Sequence, residues 1–211
     1  MDKGLILRNV SIRKDGAPLV DVHHHIAPGE VLTVMGPSGS GKSTLLSFII
    51  GTLARDFEAQ GDVILDGRVI TKERPEARRV GILFQDDLLF PHMSVAENLA
   101  FGLSARHRGR AVRAAQIDTA LREIGLDGFG ARDPSTLSGG QKARVGLMRM
   151  LLSEPCALLL DEPFSRLDMS LRAQMRALVF GVAKSRALPV VMVTHDAEDA
   201  DAAGGAVLQV G

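Results

Sequence analysis

The residues best placed to do chemistry form one short run, Gly36-Pro37-Ser38-Gly39-Ser40-Gly41-Lys42-Ser43-Thr44. Its spacing, Gly-x-x-x-x-Gly-Lys-Ser, is that of a phosphate-binding loop. A triphosphate needs many donors at close range, and glycines let backbone N–H groups turn inward without a Cβ in the way. The loop should open a helix at about Lys42, whose N-terminal end favours an anion. Lys42 is expected to reach the β- and γ-phosphates, and the Ser43 hydroxyl to ligate Mg²⁺. The pattern alone arises by chance in roughly one chain in a hundred of this length. Its flanks add weight, because an apolar run of strand length (31–35) precedes it and an apolar, helix-compatible run (45–50) follows up to Gly51.

A second group of candidates ends other apolar runs. Leu158-Leu159-Leu160 leads into Asp161-Glu162. Acids at the carboxyl end of a parallel strand face the ligand crevice. Asp161 is expected to hold Mg²⁺ and Glu162 to polarise an attacking water. Gln85 ends the run 80–84, and its amide could touch both the metal and a water. His195 follows Val190–Thr194; it could contact a γ-phosphate, and position alone does not separate that role from a bystander's. Ser138-Gly139-Gly140-Gln141 supplies a good N-cap and two glycines before a helix carrying Arg144, Leu147 and Leu151, which makes a second anion-binding helix end.

The elements that must position these groups are legible in outline. Residues 5–12 and 18–26 read as strands, and 61–70 as a hairpin with an Asp66-Gly67 turn. Ser94-Val95-Ala96-Glu97 is a capping box that opens a helix through Leu103. A further helix runs to about Ile124, with Gly125 as its stop. Residues 157–160 and 190–193 read as buried strands flanking a helix at about 170–185. Strands alternating with helices indicate a parallel sheet covered on both faces. His23-His24-His25 lies inside a strand, where neighbours point to opposite faces, and reads as strand surface. The basic stretch 106–113 reads as a solvated loop and helix start, with anionic lipid or nucleic acid as the other possibility.

Lys and Arg number 25, as do Asp and Glu, in 211 residues. That balance argues against a dedicated nucleic-acid binder. The single cysteine, Cys156, excludes an internal disulfide and fits a reducing compartment. No signal-peptide pattern opens the chain, and no apolar run approaches the roughly 20 residues that span a bilayer. The expectation is a cytosolic location.

Taken in order, these motifs make the chain resemble the nucleotide-binding subunit of an ATP-binding cassette (ABC) transporter. The phosphate loop is followed by the glutamine at Gln85, the signature at 137–141, the acids Asp161 and Glu162, the loop Ser165-Arg166-Leu167-Asp168 and the histidine at His195. The match covers nearly the whole chain. The resemblance implies an α/β P-loop NTPase fold in one domain, 1–211. Its parallel RecA-like core (about 1–85 and 156–211) would carry an N-terminal antiparallel β subdomain and an inserted helical subdomain (about 86–155). The resemblance also implies ATP and Mg²⁺ as ligands, with Ser43, Gln85 and Asp161 at the metal. Gly36 to Thr44, Gln85, Asp161 and His195 would hold the chain's own nucleotide, with Glu162, His195 and Gln85 catalytic. Two copies would pair head to tail, so that Ser138, Gly139, Gly140 and Gln141 serve the partner's ATP.

The stretch 89–95 resembles the importer branch, and 81–90 with 161–168 resembles a short bacterial group labelled thiamine-type. That implies membrane permease subunits as partners, a periplasmic binding protein indirectly, no nucleic acid, and residence at the cytoplasmic face of the inner membrane. Three departures stand out. The family places an aromatic ring before the phosphate loop to stack on adenine, whereas here no Phe, Tyr or Trp precedes Phe48 and the matching place falls near Arg13 and Lys14. Arg166 stands where a small residue is usual. The chain stops at Gly211, so the regulatory C-terminal domain of many importers is not expected. The alternative class is a soluble ABC ATPase of repair, translation or cofactor assembly. Repair-type members carry a long coiled coil after the glutamine, but the roughly fifty residues from Gln85 to Leu137 show no sustained heptads. Translation-type members carry two cassettes, and this chain carries one.

Overall fold

A computed structural model describes residues 3–86 and 88–211; Asp87, part of the 81–90 stretch, and the first two residues lie outside it. The first three strands are β1 (Leu5–Lys14), β2 (Ala17–Ile26) and β3 (Val31–Met35). β1 and β2 form an antiparallel hairpin closed at Asp15-Gly16, both with positive φ, as the strand twist of a two-residue turn demands. After helix α1 (Lys42–Ile50), β4 (Phe57–Leu65) pairs on the other edge of β1. The short β5 (Arg68–Val69) follows through the Asp66-Gly67 turn, giving the sheet order β2-β1-β4-β5.

The second sheet is parallel along its paired strands. It contains β6 (Val80–Leu83), β7 (Ala157–Asp161), β8 (Val190–Val193) and β9 (Ala206–Gln209) with β3, in the order β6-β7-β8-β3-β9. Between β6 and β7 come helices α2 (Val95–Gly102), α3 (Arg110–Glu123) and α4 (Gly139–Leu151). Helix α5 (Met169–Ser185) joins β7 to β8, and α6 (Ala197–Ala203) joins β8 to β9. The expected pairing of a parallel sheet with an N-terminal antiparallel one is present.

The unbroken apolar runs of β7 and β8 follow from burial on both faces. Leu158, Leu160, Val190 and Met192 face the core shared with α4 and α5, with Leu147, Leu151, Met175 and Val179. Ala157, Leu159, Val191 and Val193 face the opposite core, with Leu32, Val34, Leu45 and Ile49. Truncating one such leucine to alanine costs about 2–5 kcal/mol.

Several boundaries move. β1 extends to Lys14, two residues beyond the expected end, because the tight turn lets both strands run to it. α6 and β9 carry no motif and were not expected. The capping box of α2 forms as read: the Ser94 hydroxyl accepts from Glu97 N–H, and Glu97 accepts from Ser94 N–H at 2.7 Å. The basic stretch is divided: Arg106 and His107 both engage Glu154, while Arg113 donates to the Ala100 carbonyl. His23 is tied to Asn9 and His25 to the Lys3 carbonyl.

One buried cation escaped the sequence reading. Arg78, 5% exposed, donates to the carbonyls of Phe48 and Ile49 at 2.8 Å each, and so satisfies two of the last carbonyls of α1. Desolvation lowers its pKa from the ordinary guanidinium value, opposed by Glu73. The far end of the phosphate-loop helix is thereby fixed.

Candidate nucleotide site

The phosphate loop leaves β3 at Met35 and enters α1 at Lys42, as the sequence predicts. Gly41 has φ 91°, and a Cβ there would lie 3.0 Å from Val20 and 3.1 Å from Leu19. The β1–β2 hairpin therefore packs against the start of α1, and only glycine allows both the turn and the approach. Gly41 offers no side-chain cap, so the first N–H groups of α1 have no capping side chain.

Lys42 is 8% exposed and donates to the carbonyls of Gly36 and Pro37 at 2.7 Å each. Its ammonium is thus folded back over the loop. The buried hydroxyl oxygen of Ser40 has no hydrogen-bond partner. Uncapped N–H groups, a lysine with two of its three ammonium hydrogens spent on carbonyls, and an unpaired hydroxyl together leave donors without an acceptor. A polyphosphate fits that set.

The loop opens on a cavity of about 260 Å³, lined by Ser38, Gly39, Gly41, Lys42, Ser43, Thr44, Glu162 and His195. The structure thus brings Glu162 and His195 to the phosphate loop from the ends of β7 and β8. Glu162 has φ 47°, an unfavourable turn for a non-glycine residue, and its N–H donates to the Val193 carbonyl at 2.9 Å. The turn carries its carboxylate off the strand axis, to where Glu162 Oε2 and His195 Nδ1 lie 3.0 Å apart.

Asp161 sits deeper. The Ser43 hydroxyl donates to its carboxylate at 3.1 Å. Burial pushes its carboxyl above the ordinary range; the Ser43 bond opposes this and the charge of Glu162 adds to it. A hydroxyl beside a desolvated carboxylate suits a hard divalent cation, which would supply the missing positive charge. No group of three or more His, Cys, Asp or Glu among the described residues could hold a metal alone, so phosphate oxygens would complete the coordination.

The remaining candidates lie elsewhere. Gln85 is exposed and lines a separate cavity of about 240 Å³ with Asp86, Gly139, Lys142 and Arg166. In this structure Gln85 is therefore not among the residues lining the phosphate cavity. Ser138 caps α4: its hydroxyl accepts from Gln141 N–H at 3.3 Å, and the Gln141 side-chain oxygen accepts from Ser138 N–H at 3.0 Å. Gln141 is thus committed in part to its own helix start. The two glycines differ. A Cβ on Gly139 would meet nothing within 4 Å, whereas one on Gly140 would lie 2.4 Å from Leu171 of α5. Gly140 is small because α5 packs on it, a reason the motif does not reveal. None of Ser138 to Gln141 lines the phosphate cavity of its own chain.

The departures also acquire surroundings. Arg166 is paired with Asp86, so its guanidinium bridges the segment after β7 to the one after β6. Lys14 lies 3.5 Å from Asp56 and over the Phe57 ring, which turns it toward β4.

A larger cavity of about 520 Å³ lies away from the phosphates, between β6 and the helices, with Phe84, Leu88, Phe90, Phe101 and Arg149 on its walls. Phe84, Leu88 and Phe101 are exposed apolar side chains. No helix among the described residues is long and apolar enough to cross a membrane.

Comparison with known proteins gives one consistent answer. The family model described as ABC transporter matches residues 19–165. The chain is 48% identical over 199 residues to an uncharacterised ABC transporter ATP-binding protein of Escherichia coli K12, covering 94% of this chain and 91% of that one. It is 48% identical over 172 residues to a thiamine import ATP-binding protein of Cereibacter sphaeroides, covering 82% and 73%. A spermidine/putrescine import ATP-binding protein of Methylococcus capsulatus is 45% identical over 182 residues, 86% of this chain but 46% of its own length. Among solved structures, cbiO1 of Clostridium perfringens, part of the ABC transporter complex cbiONQ, superposes with a TM-score of 0.86 at 27% identity, over 100% of this chain and 85% of that one. With the phosphate loop, the paired acids and the capped signature helix on one α/β framework, the chain belongs to the ABC transporter family, as an ATP-binding subunit that hydrolyses ATP.

Proposed function

We propose that two copies of this chain pair head to tail and drive uptake of a small solute through separate permease subunits, at the cytoplasmic face of the inner membrane. A periplasmic binding protein would deliver the solute. The carrying observation is the separation of the two anion-binding helix ends. The phosphate cavity is lined by loop, Glu162 and His195, and the signature start lies outside it. Each nucleotide then needs Ser138, Gly139, Gly140 and Gln141 from the other copy. In this arrangement the core (1–85 and 156–211) holds the chain's own ATP, and the inserted segment (86–155) presents the signature to the partner's.

Within the site, Lys42 and the first N–H groups of α1 bind the phosphates. Ser43 and Asp161 would hold Mg²⁺, which would neutralise charge on the phosphate oxygens. Glu162 accepts a hydrogen bond from the attacking water and orients it, and His195 restrains both Glu162 and the γ-phosphate end. Gln85 would join this site only on a movement that carries it from its neighbouring cavity. The importer reading draws on the import proteins among the relatives, and the apolar groove at Phe84, Leu88 and Phe101 beside Gln85 is a suitable seat for a permease segment.

The test mixes two inactive variants. Ser138→Arg should abolish turnover while each monomer binds ATP through its own loop, and Lys42→Ala should weaken binding itself. A mixed dimer has one site with both lesions and one with neither, so partial activity should return. Full activity of Ser138→Arg that persists on dilution to monomer would defeat the paired reading. Uptake is tested separately, by reconstituting the chain with permease subunits in vesicles and following solute entry.

A further inference from the structure

We propose that Thr194 and Asp199 are positioning residues that aim His195, and that they act through its backbone because its ring is largely exposed. The His195 side chain is 63% exposed, and the contact that restrains it is the one to Glu162. An exposed ring on a mobile backbone would sample several rotamers and hold that contact only part of the time. Both chain neighbours of His195 are instead pinned.

Thr194, 2% exposed, directly follows β8. Its hydroxyl donates to Asp199 Oδ2 at 3.0 Å and accepts from the N–H of Asp196 at 3.1 Å, so one oxygen straps the chain on both sides of His195. Asp199 is 1% exposed, and a carboxylate buried that deeply needs hydrogen-bonding partners. It has two. Arg172 donates to both its oxygens, at 3.0 and 2.6 Å, and Arg176 donates at 2.6 Å. Arg172 also reaches Asp196 at 2.7 Å, on the far side of the histidine. Both arginines project from α5, which is packed on the core through Met175 and Val179. The path is therefore a buried charge cluster on a fixed helix, a threonine hydroxyl, and the two peptide units that bracket His195.

The proposal rests on the reading of His195 as a contact at the phosphate end, and the experiment separates the two. Thr194→Val keeps shape and removes the strap, while Asp199 keeps both arginines. Its kcat for ATP hydrolysis should fall about tenfold with KM and nucleotide affinity changed by less than about twofold. Thr194→Ser, which restores the hydroxyl, should recover kcat to within about twofold of the parent. In a His195→Ala background, Thr194→Val should add less than about a further twofold, because the strap has nothing left to aim. Should Thr194→Val unfold below assay temperature, Thr194→Ala is read the same way. The proposal is overturned if a folded Thr194→Val or Thr194→Ala keeps full kcat while His195→Ala is impaired, if serine fails to rescue, or if the losses at 194 and 195 multiply. Full activity of His195→Ala overturns the histidine reading and the proposal with it.

Discussion

Glu162 Oε2 and His195 Nδ1 lie 3.0 Å apart at the mouth of the phosphate cavity, although the two residues are separated in sequence by the whole of α5 and β8. Both line the cavity that Lys42 also lines. If Glu162 orients the attacking water, Glu162→Gln should leave ATP binding nearly intact and cut turnover by ~10²-fold or more. It should also trap an ATP-bound dimer, seen by gel filtration with ATP. Near-normal phosphate release by the Gln variant would remove Glu162 from that role.

The two signature glycines should separate stability from activity. Gly140→Ala places a Cβ 2.4 Å from Leu171, and the overpacking should cost about 1–3 kcal/mol unless the leucine side chain swings away. Thermal unfolding should show the loss, and Leu171→Ala should reverse part of it. Gly139→Ala meets nothing within 4 Å, so it should fold normally and lose turnover only if the partner's phosphates approach that residue. Equal destabilisation by both alanines would contradict the packing described.

Asp161 should make stability and function oppose each other. Burial raises its folded pKa above the unfolded value, so its favourable contribution is fully present below the ordinary carboxylate pKa and is lost as pH rises through the raised folded value. At neutral pH the ionised group therefore costs stability. Asp161→Asn should raise the Tm of the nucleotide-free chain at pH 7, by no more than about 2 °C given solvent screening of a half-exposed group. The advantage should shrink as pH falls toward 5, and hydrolysis should be lost. A variant less stable than the parent at pH 7 would mean that the Ser43 bond outweighs burial.

Nucleotide selectivity should be weak. Lys14 is engaged by Asp56 and Phe57, whereas Arg13 near the hairpin tip has no ion pair among the described residues. A guanidinium plane recovers part of the ~1–3 kcal/mol that stacking on an aromatic ring supplies, without reading the base edge. GTP should bind within about tenfold of ATP in competition titrations. A hundredfold preference for ATP would require another group that reads adenine.

What the sequence determined by itself is the set of groups whose partners are close along the chain. The phosphate loop, the boxes at Ser94 and Ser138, the turn at Asp66-Gly67 and the acids ending β7 are each specified by a few neighbouring residues, because one backbone turn or helix start fixes their geometry. The apolar runs of β7 and β8 announced a sheet buried on both sides for the same local reason. Only the tertiary structure decided which distant groups meet. The strand order β6-β7-β8-β3-β9 sets Glu162 beside His195 and both beside Lys42, and it leaves Gln85 with Gly139 in a neighbouring cavity. It also decided that Arg78 caps α1, that Arg166 pairs with Asp86, that Leu171 requires Gly140 to be small, and that Arg172 and Arg176 meet the buried Asp199. Each of those depends on side chains brought together from different elements, and no spacing along the chain encodes that.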